Sequence, residues 1–279
     1  MHEALKGFMN QRQWTPVSEA SATALQRITY INIALVLVPT ILGLIVGLVV
    51  GQPIVLTVLA LLASTLWVNV VNRNIESSLL HRLDVVSASE DDHARLINVV
   101  DGLCVVSGDR RPPLLVVSDA YPIALAIATP KHQGTVVVSQ GFLDEMNRVE
   151  IEAVMAHVLW RLRNGNVALT SYLIALRTML SKIGLRRVAD VIINKLYEDK
   201  ILLWSDISAC QATRYPPALI SALQKCNRAQ SLEIDPILSP LLFVDPKTAH
   251  HDTHSGSSFP IVGFSAIGVE ERIAVLKEI

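Results

Sequence analysis

From Ile28 to Asn72 the chain carries no Asp, Glu, Lys or Arg, and Arg27 and Arg73 bracket that stretch. Two apolar runs fill it, Ile28–Val50 and Ile54–Val71, separated by Gly51-Gln52-Pro53. As helices at ~1.5 Å per residue they measure about 35 and 27 Å, against a hydrocarbon layer of about 30 Å. The expected structure is a transmembrane hairpin, with Trp67 near the interface and Asn32 and Asn69 turned toward the other helix. A buried hairpin in a soluble core is the competing reading, and the uninterrupted lengths argue against it. The polar leader of residues 1–27 and the length of the first run argue against a cleavable signal peptide. Lys6, Arg12 and Arg27 precede the first run and Arg73 and Arg82 follow the second, while the connecting turn has no basic residue. The positive-inside rule then places both termini in the cytoplasm.

The rest of the composition narrows the function. Hydrophobic residues make up 51% of the chain and charged residues 18%, below the ~25% of an ordinary soluble domain. Net charge is −1, which excludes a nucleic-acid binder built on bulk basic charge. Three cysteines without a Cys-x-x-Cys pair fit a reducing compartment. The chain divides into a leader (1–27), a membrane hairpin (28–72) and one globular domain (73–279). In that domain helices are expected over Ile75–Val86 and from Asp91 or Asp92 onward. Short strands follow at Leu114–Ser118, Ile123–Ala128 and Thr135–Ser139. Ser139 caps a short helix, and Asn147 with Glu150 forms a capping-box start for the next, which Asn164-Gly165 ends. Further helices are expected at Asn166–Leu180, packed or interfacial, over 186–206, over Pro217–Cys226, and at the C-terminus. The fold class is α+β and mostly helical.

The helix from Asn147 to Arg163 carries an apolar stripe of Ile151, Val154, Met155, Val158, Leu159 and Leu162, with His157, Trp160 and Arg161 on a second face. The runs LINVVDGLCVVSGDRRPPLLVVSD, ALAIATP and TVVVSQGFLDEMNRVEIEAVMAHVLWRLRNGN, within residues 94–170, resemble the HtpX-type membrane zinc metallopeptidases, relatives of the CAAX prenyl proteases and the mitochondrial Oma-type enzymes. Matching pieces recur at Asp206, at Leu219–Lys225 and at Glu271–Lys277, and the two apolar helices sit where that family has them. The resemblance implies a gluzincin-like domain with a small sheet, in which a helix carries His-Glu-x-x-His. The two histidines, at i and i+4, share one zinc ion, and the glutamate between them is the general base.

In this sequence that motif reads His157-Val158-Leu159-Trp160-Arg161. Only the first ligand position is a histidine. The base position is Val158, the second ligand position is Arg161, and the third, four residues before Asp206, is Leu202. No metal cofactor is expected here, whereas active relatives hold zinc. The implied function is a membrane-anchored, catalytically inactive homologue acting as a binding, regulatory or scaffold protein in membrane-protein quality control. Its implied partners are the lipid bilayer and either membrane proteins or an active peptidase. The family's substrate lies extended along an edge strand, and Ile123, Ala124, Leu125 and Ala126 fall on it, although the family's Asn at its start is Ile123. Asp206, which in the family steadies a metal-bound histidine, is expected to contact Arg161 or His157, with Arg161 replacing the metal as its cation. Two other readings stay open: a working metalloendopeptidase with rearranged ligands, His157 joined by His250, His251 and His254, and a structural subunit of a membrane complex.

Overall fold

The computed structural model describes residues 17–130, 132–197, 200–228, 235–244 and 267–279. Most of the leader, and the loop with His250, His251 and His254, lie outside the described residues. Two antiparallel helices, α1 (Val17–Val50) and α2 (Pro53–Leu80), form the hairpin. Both are long and apolar enough to cross a membrane. The turn between them uses Gly51 at φ 82° and Pro53 at the first helical position, where its missing N–H costs nothing. The helices touch through small residues. A Cβ on Gly43 would stand 2.7 Å from the Ala60 Cβ, so only glycine permits this approach. Asn32 does not face α2: its Oδ1 accepts the Tyr172 hydroxyl at 2.8 Å. Asn69 donates to its own helix, to the Thr65 carbonyl. Both amides thus make hydrogen bonds outside the α1–α2 contact.

The second helix does not stop where its apolar run ends. It continues through Arg73 to Leu80, and Ile75 and Leu79 enter the domain core. The helix expected over Ile75–Val86 is therefore the end of α2. Residues Val85–Ser87 form strand β1, whose β-branched valines suit an extended chain. Helix α3 (Glu90–Ser107) starts on Ser89, whose hydroxyl accepts the Asp92 N–H. Strands β2 (Leu114–Val117), β3 (Ala124–Thr129) and β4 (His132–Ser139) complete a mixed sheet in the order β1-β2-β4-β3. The β2–β4 pair is parallel and the outer pairs are antiparallel. Every residue of β3 is buried, which explains its unbroken apolar run.

Ser139 caps α4 (Gln140–Glu145), and a complete capping box starts α5 (Arg148–Arg163). Gly165, at φ 70°, turns the chain into α6 (Asn166–Lys182). A Cβ there would come within 3.0 Å of Ala24 on α1, so the turn also seats the first helix against the domain. With Leu173, Ile174, Leu176 and Leu180 buried, α6 packs within the domain. The stretch 186–206 is two helices, α7 (Arg186–Leu196) and α8 (Ile201–Thr213), because Tyr197 is extended at φ −81°, ψ 126°. Helix α9 (Pro216–Arg228), a 3-10 turn (Pro236–Leu241) and α10 (Val269–Leu276) follow. Helices α5 and α8 pack side by side, and α10 closes over α8 and α9.

Candidate functional site

His157 and Arg161 stand one turn apart on α5 and both are buried. Asp206 reaches them from α8, with no exposed surface. The His157 Nδ1 lies 2.8 Å from one Asp206 oxygen. The cation on Asp206 is not Arg161. It is Arg272 of α10, whose Nε donates to Oδ2 at 2.6 Å and whose Nη2 donates to Oδ1 at 2.8 Å. This two-pronged geometry is the strong form of an arginine–carboxylate bond. A third Arg272 donor goes to the Phe243 carbonyl at 2.7 Å, and the guanidinium lies 5.1 Å from that ring's centroid. The expected Arg161–Asp206 pair is thus replaced by Arg272–Asp206. Arg161 turns the other way and donates to the carbonyls of Pro240, Leu241 and Leu242, at 2.9, 3.2 and 3.3 Å. Those carbonyls belong to the end of the 3-10 turn, where a cation meets unpaired acceptors and the negative end of the backbone dipoles.

The electrostatics follow from burial. Asp206 stays ionised because Arg272 holds its carboxyl below the usual range against the opposing cost of burial. Burial pushes the His157 imidazole down to about 4, with Arg272 and Arg161 adding to the shift and Asp206 opposing it. A neutral ring beside an ionised carboxylate must carry its proton on Nδ1 and donate it to Asp206. Nε2 is then a bare acceptor, buried and without a hydrogen-bond partner among the described residues. The ring meets Phe243 edge-on at 5.0 Å.

These residues do not fit a zinc ion. His157 Nε2 is the one suitable donor the three ligand positions offer. Arg161 is a permanent cation already bonded to three carbonyls, Leu202 has no donor atom, and Val158 cannot take a proton from water. Among the described residues no group of three His, Cys, Asp or Glu side chains lies close enough to hold a metal ion. The support that would steady a ligating histidine is present, while Val158, Arg161 and Leu202 supply none of the groups that would complete a zinc site.

The edge strand is also different from its expected use. β3 does lie at the sheet edge and starts at Ala124, one residue after Ile123. Its outer side is taken by the chain itself. Phe243 donates its N–H to the Ala124 carbonyl at 2.8 Å, and Leu125 pairs antiparallel with Leu242. A peptide could add to Ala124–Ala126 only by displacing Leu242 and Phe243. The sequence showed Arg272 inside a matching piece, Glu271–Lys277, without revealing its partner. The segment Pro240–Phe243 carried no recognisable signal.

A small mixed sheet, a helix presenting a histidine to a carboxylate on a neighbouring helix, and two long apolar helices ahead of them define a metallopeptidase-like domain on a potential membrane hairpin. No family model matches the chain. It is similar to Protease HtpX homolog of Dictyoglomus turgidum, 26% identical over 71% of this chain and 74% of that protein. Protease HtpX homolog of Pediococcus pentosaceus is also 26% identical, over 65% of this chain and 75% of its own length. The same-named protein of Listeria monocytogenes is 31% identical over a shorter stretch, 36% of this chain and 34% of its own. The chain is similar in sequence to HtpX-type proteases over about two thirds of its length.

Proposed function

We propose that this protein is a membrane-anchored, non-proteolytic member of the HtpX-type family that acts by binding, as a scaffold or regulator in membrane-protein quality control. The observation that carries the reading is Arg161. Its guanidinium occupies the second ligand position and is built into the fold through the Pro240, Leu241 and Leu242 carbonyls. A side chain so tied is a structural strut, and no small rotation converts its position into a metal ligand. The pairing of Leu242 and Phe243 with β3 supports the same reading, because an extended substrate and the chain's own segment compete for one edge.

The hairpin over residues 28–72 anchors the domain of residues 73–279, and basic residues on the domain side place both termini in the cytoplasm. Partners meet the protein at the bilayer, through lipid and through membrane proteins or an active peptidase.

The test is metal content and proteolysis on the full chain purified in mild detergent. The expected result is zinc far below one per chain and no cleavage of unfolded casein. Stoichiometric zinc, with cleavage abolished by His157→Ala, would overturn the proposal in favour of a rearranged metal site.

A further inference from the structure

Val105 and Val106, in the last turn of α3, are 82% and 88% exposed, as bare as the outer valines of the hairpin. Gly102 is exposed on the same face, since positions i, i+3 and i+4 of a helix lie together. Nearer the helix start that face is polar, with Asn98 and Asp91 exposed. The apolar exposure is therefore confined to the C-terminal tip of α3. Scattered surface valines need no explanation, and the place of this pair in the fold is what sets it apart.

Helices α3 and α5 pack together and run the same way. Near their starts Arg95 donates to the Leu143 carbonyl, just ahead of α5, and at their ends Arg163 pairs with Asp109 at 2.8 Å. The end of α5 stands at the hairpin, where Gly165 abuts Ala24. Ala24 is three residues, about 4.5 Å of helix, before Arg27, where the charge-free stretch begins. On the second helix Glu76, three residues past Arg73, accepts the Thr135 hydroxyl at 2.6 Å. The neighbouring Gly134 abuts Leu162, close to the end of α5. Contacts to both hairpin helices thus put the ends of α3 and α5 within about a turn of the apolar boundary. A headgroup layer is about 5–8 Å thick, so these ends lie at headgroup depth when the hairpin spans a bilayer.

We propose that the tip of α3 is a lipid-binding foot: Val105 and Val106 enter the headgroup layer beside the hairpin and give the domain a third point of attachment, after α1 and α2. The proposal rests on the reading of α1 and α2 as membrane spans. The ligand is the bilayer surface, met through apolar contact rather than bulk charge, because the ion pairs at this tip are already closed. Arg111 pairs with Asp101 at 3.0 Å and Arg163 with Asp109. A soluble partner could use any exposed face of α3, whereas the bare valines are restricted to the turn on the membrane side. A foot beside two spans fixes the tilt of the domain over the bilayer.

A nitrobenzoxadiazole probe on Gly102→Cys tests the contact while leaving the valines in place. A Cβ at Gly102 meets open space, and the native cysteines are buried, so the introduced thiol takes the label. The full chain is reconstituted in phosphatidylcholine vesicles that contain phosphatidylcholine spin-labelled on its headgroup. Quenching is expected to be several-fold stronger than for the same probe on Val149→Cys, exposed at the start of α5 and about 21 Å of helix from Arg163. Val105→Asp with Val106→Asp, exposed changes that leave the core untouched, should reduce the quenching several-fold, and Val105→Leu with Val106→Leu should keep it. A probe on Leu62→Cys, with the spin label on the acyl chain, reports the hairpin separately. Equal quenching of the probes on Gly102→Cys and Val149→Cys, with the Leu62→Cys probe quenched, would overturn the foot and leave the hairpin in the bilayer. So would quenching that survives the two aspartates. A Gly102→Cys probe shielded from aqueous iodide yet out of reach of the headgroup label would assign the patch to a protein surface, and the foot would fall. Absence of quenching at Leu62→Cys would overturn the membrane placement and the foot together.

Discussion

The hairpin and the α5–α8–α10 cluster invert the usual globular arrangement in opposite senses. In the hairpin the exposed surface is aliphatic: Val49 is 84% exposed, Ile54 78% and Leu62 62%. In the cluster the hidden residues are His157, Arg161, Asp206 and Arg272, none more than 2% exposed. Each arrangement is costly if read against water alone. Bare leucine and valine suit hydrocarbon, and buried charges are tolerated only where hydrogen bonds and opposite charge meet them. The hairpin thus depends on a solvent outside the chain, whereas the cluster supplies its own polar surroundings from three helices and one carbonyl-rich segment. Substitutions should separate the two kinds of dependence.

The largest effect is expected at Arg272. Its removal leaves the buried Asp206 carboxylate with His157 as its remaining hydrogen-bond partner among the described residues. Arg272→Ala should cost about 3–5 kcal/mol, the range for breaking one side of a buried ion pair. It should also release α10, visible as new protease cleavage near the C-terminus. The double change Asp206→Leu with Arg272→Leu removes both charges and should cost clearly less than the two single changes added together. Full additivity would mean that the carboxylate and guanidinium do not depend on each other, and the contrast drawn here would collapse on the cluster side.

Acid should act next. His157 titrates near 4 when folded and near ~6.5 when unfolded, so the unfolded chain takes up the proton first. The stability that the neutral imidazole contributes is complete above pH ~6.5 and is lost progressively as the pH falls toward about 4. The full loss is up to about 3 kcal/mol. Asp206, whose folded carboxyl is also shifted down, adds a further loss at still lower pH. Thermal melts of the detergent-solubilised protein should fall over this window. His157→Gln keeps a donor toward Asp206 and cannot titrate, so it should flatten the slope. An unchanged slope would assign the effect to other groups.

A smaller loss is expected where the two apolar helices meet. Gly43 faces Ala60 and the Leu56 carbonyl with no room for a Cβ. Gly43→Leu should push α1 from α2 and destabilise the hairpin by about 1–3 kcal/mol, as over-packing does elsewhere. Cysteine pairs placed across the contact would report the separation through slower cross-linking. Unchanged cross-linking would show that the hairpin is not held by close approach.

The two regions were unequally legible in the sequence. The hairpin was written in local composition: forty-five residues without a charge, broken by Gly51-Gln52-Pro53, and the structure turns at that break. Local caps were equally readable, since Ser139, Asn147 and Glu150 act on atoms three residues away. The presence of Val158 at the base position and of Arg161 and Leu202 at two ligand positions could be seen because a motif fixes their spacing. Arg272 could not be paired in advance, because it lies 66 residues from Asp206 and only the packing of α10 on α8 joins them. The direction of Arg161 was set by the carbonyls of Pro240, Leu241 and Leu242, and backbone acceptors leave no mark on residue type. Side-chain chemistry was visible, whereas long-range partnership required the fold.

The smallest effect is expected on the outer face of the hairpin. Leu62 points away from the protein and is 62% exposed. In a soluble domain, truncating a core leucine to alanine costs about 2–5 kcal/mol, since contacts vanish and a cavity remains. Neither penalty applies to Leu62 in a bilayer, because lipid refills the space and the helix keeps its other neighbours. Leu62→Ala should therefore change thermal stability in lipid nanodiscs by less than about 0.5 kcal/mol, the level of an ordinary surface change. Leu62→Asp at the same position places a charge on the lipid face, and it should reduce recovery of the protein in the membrane fraction. Insertion scales set that cost at about 2.5–3.5 kcal/mol near a helix centre. A large loss with alanine would mean that a protein surface covers Leu62. A tolerated aspartate would mean that water does. In either case the solvent inferred for the hairpin would be wrong, and its exposed leucines would need a different explanation.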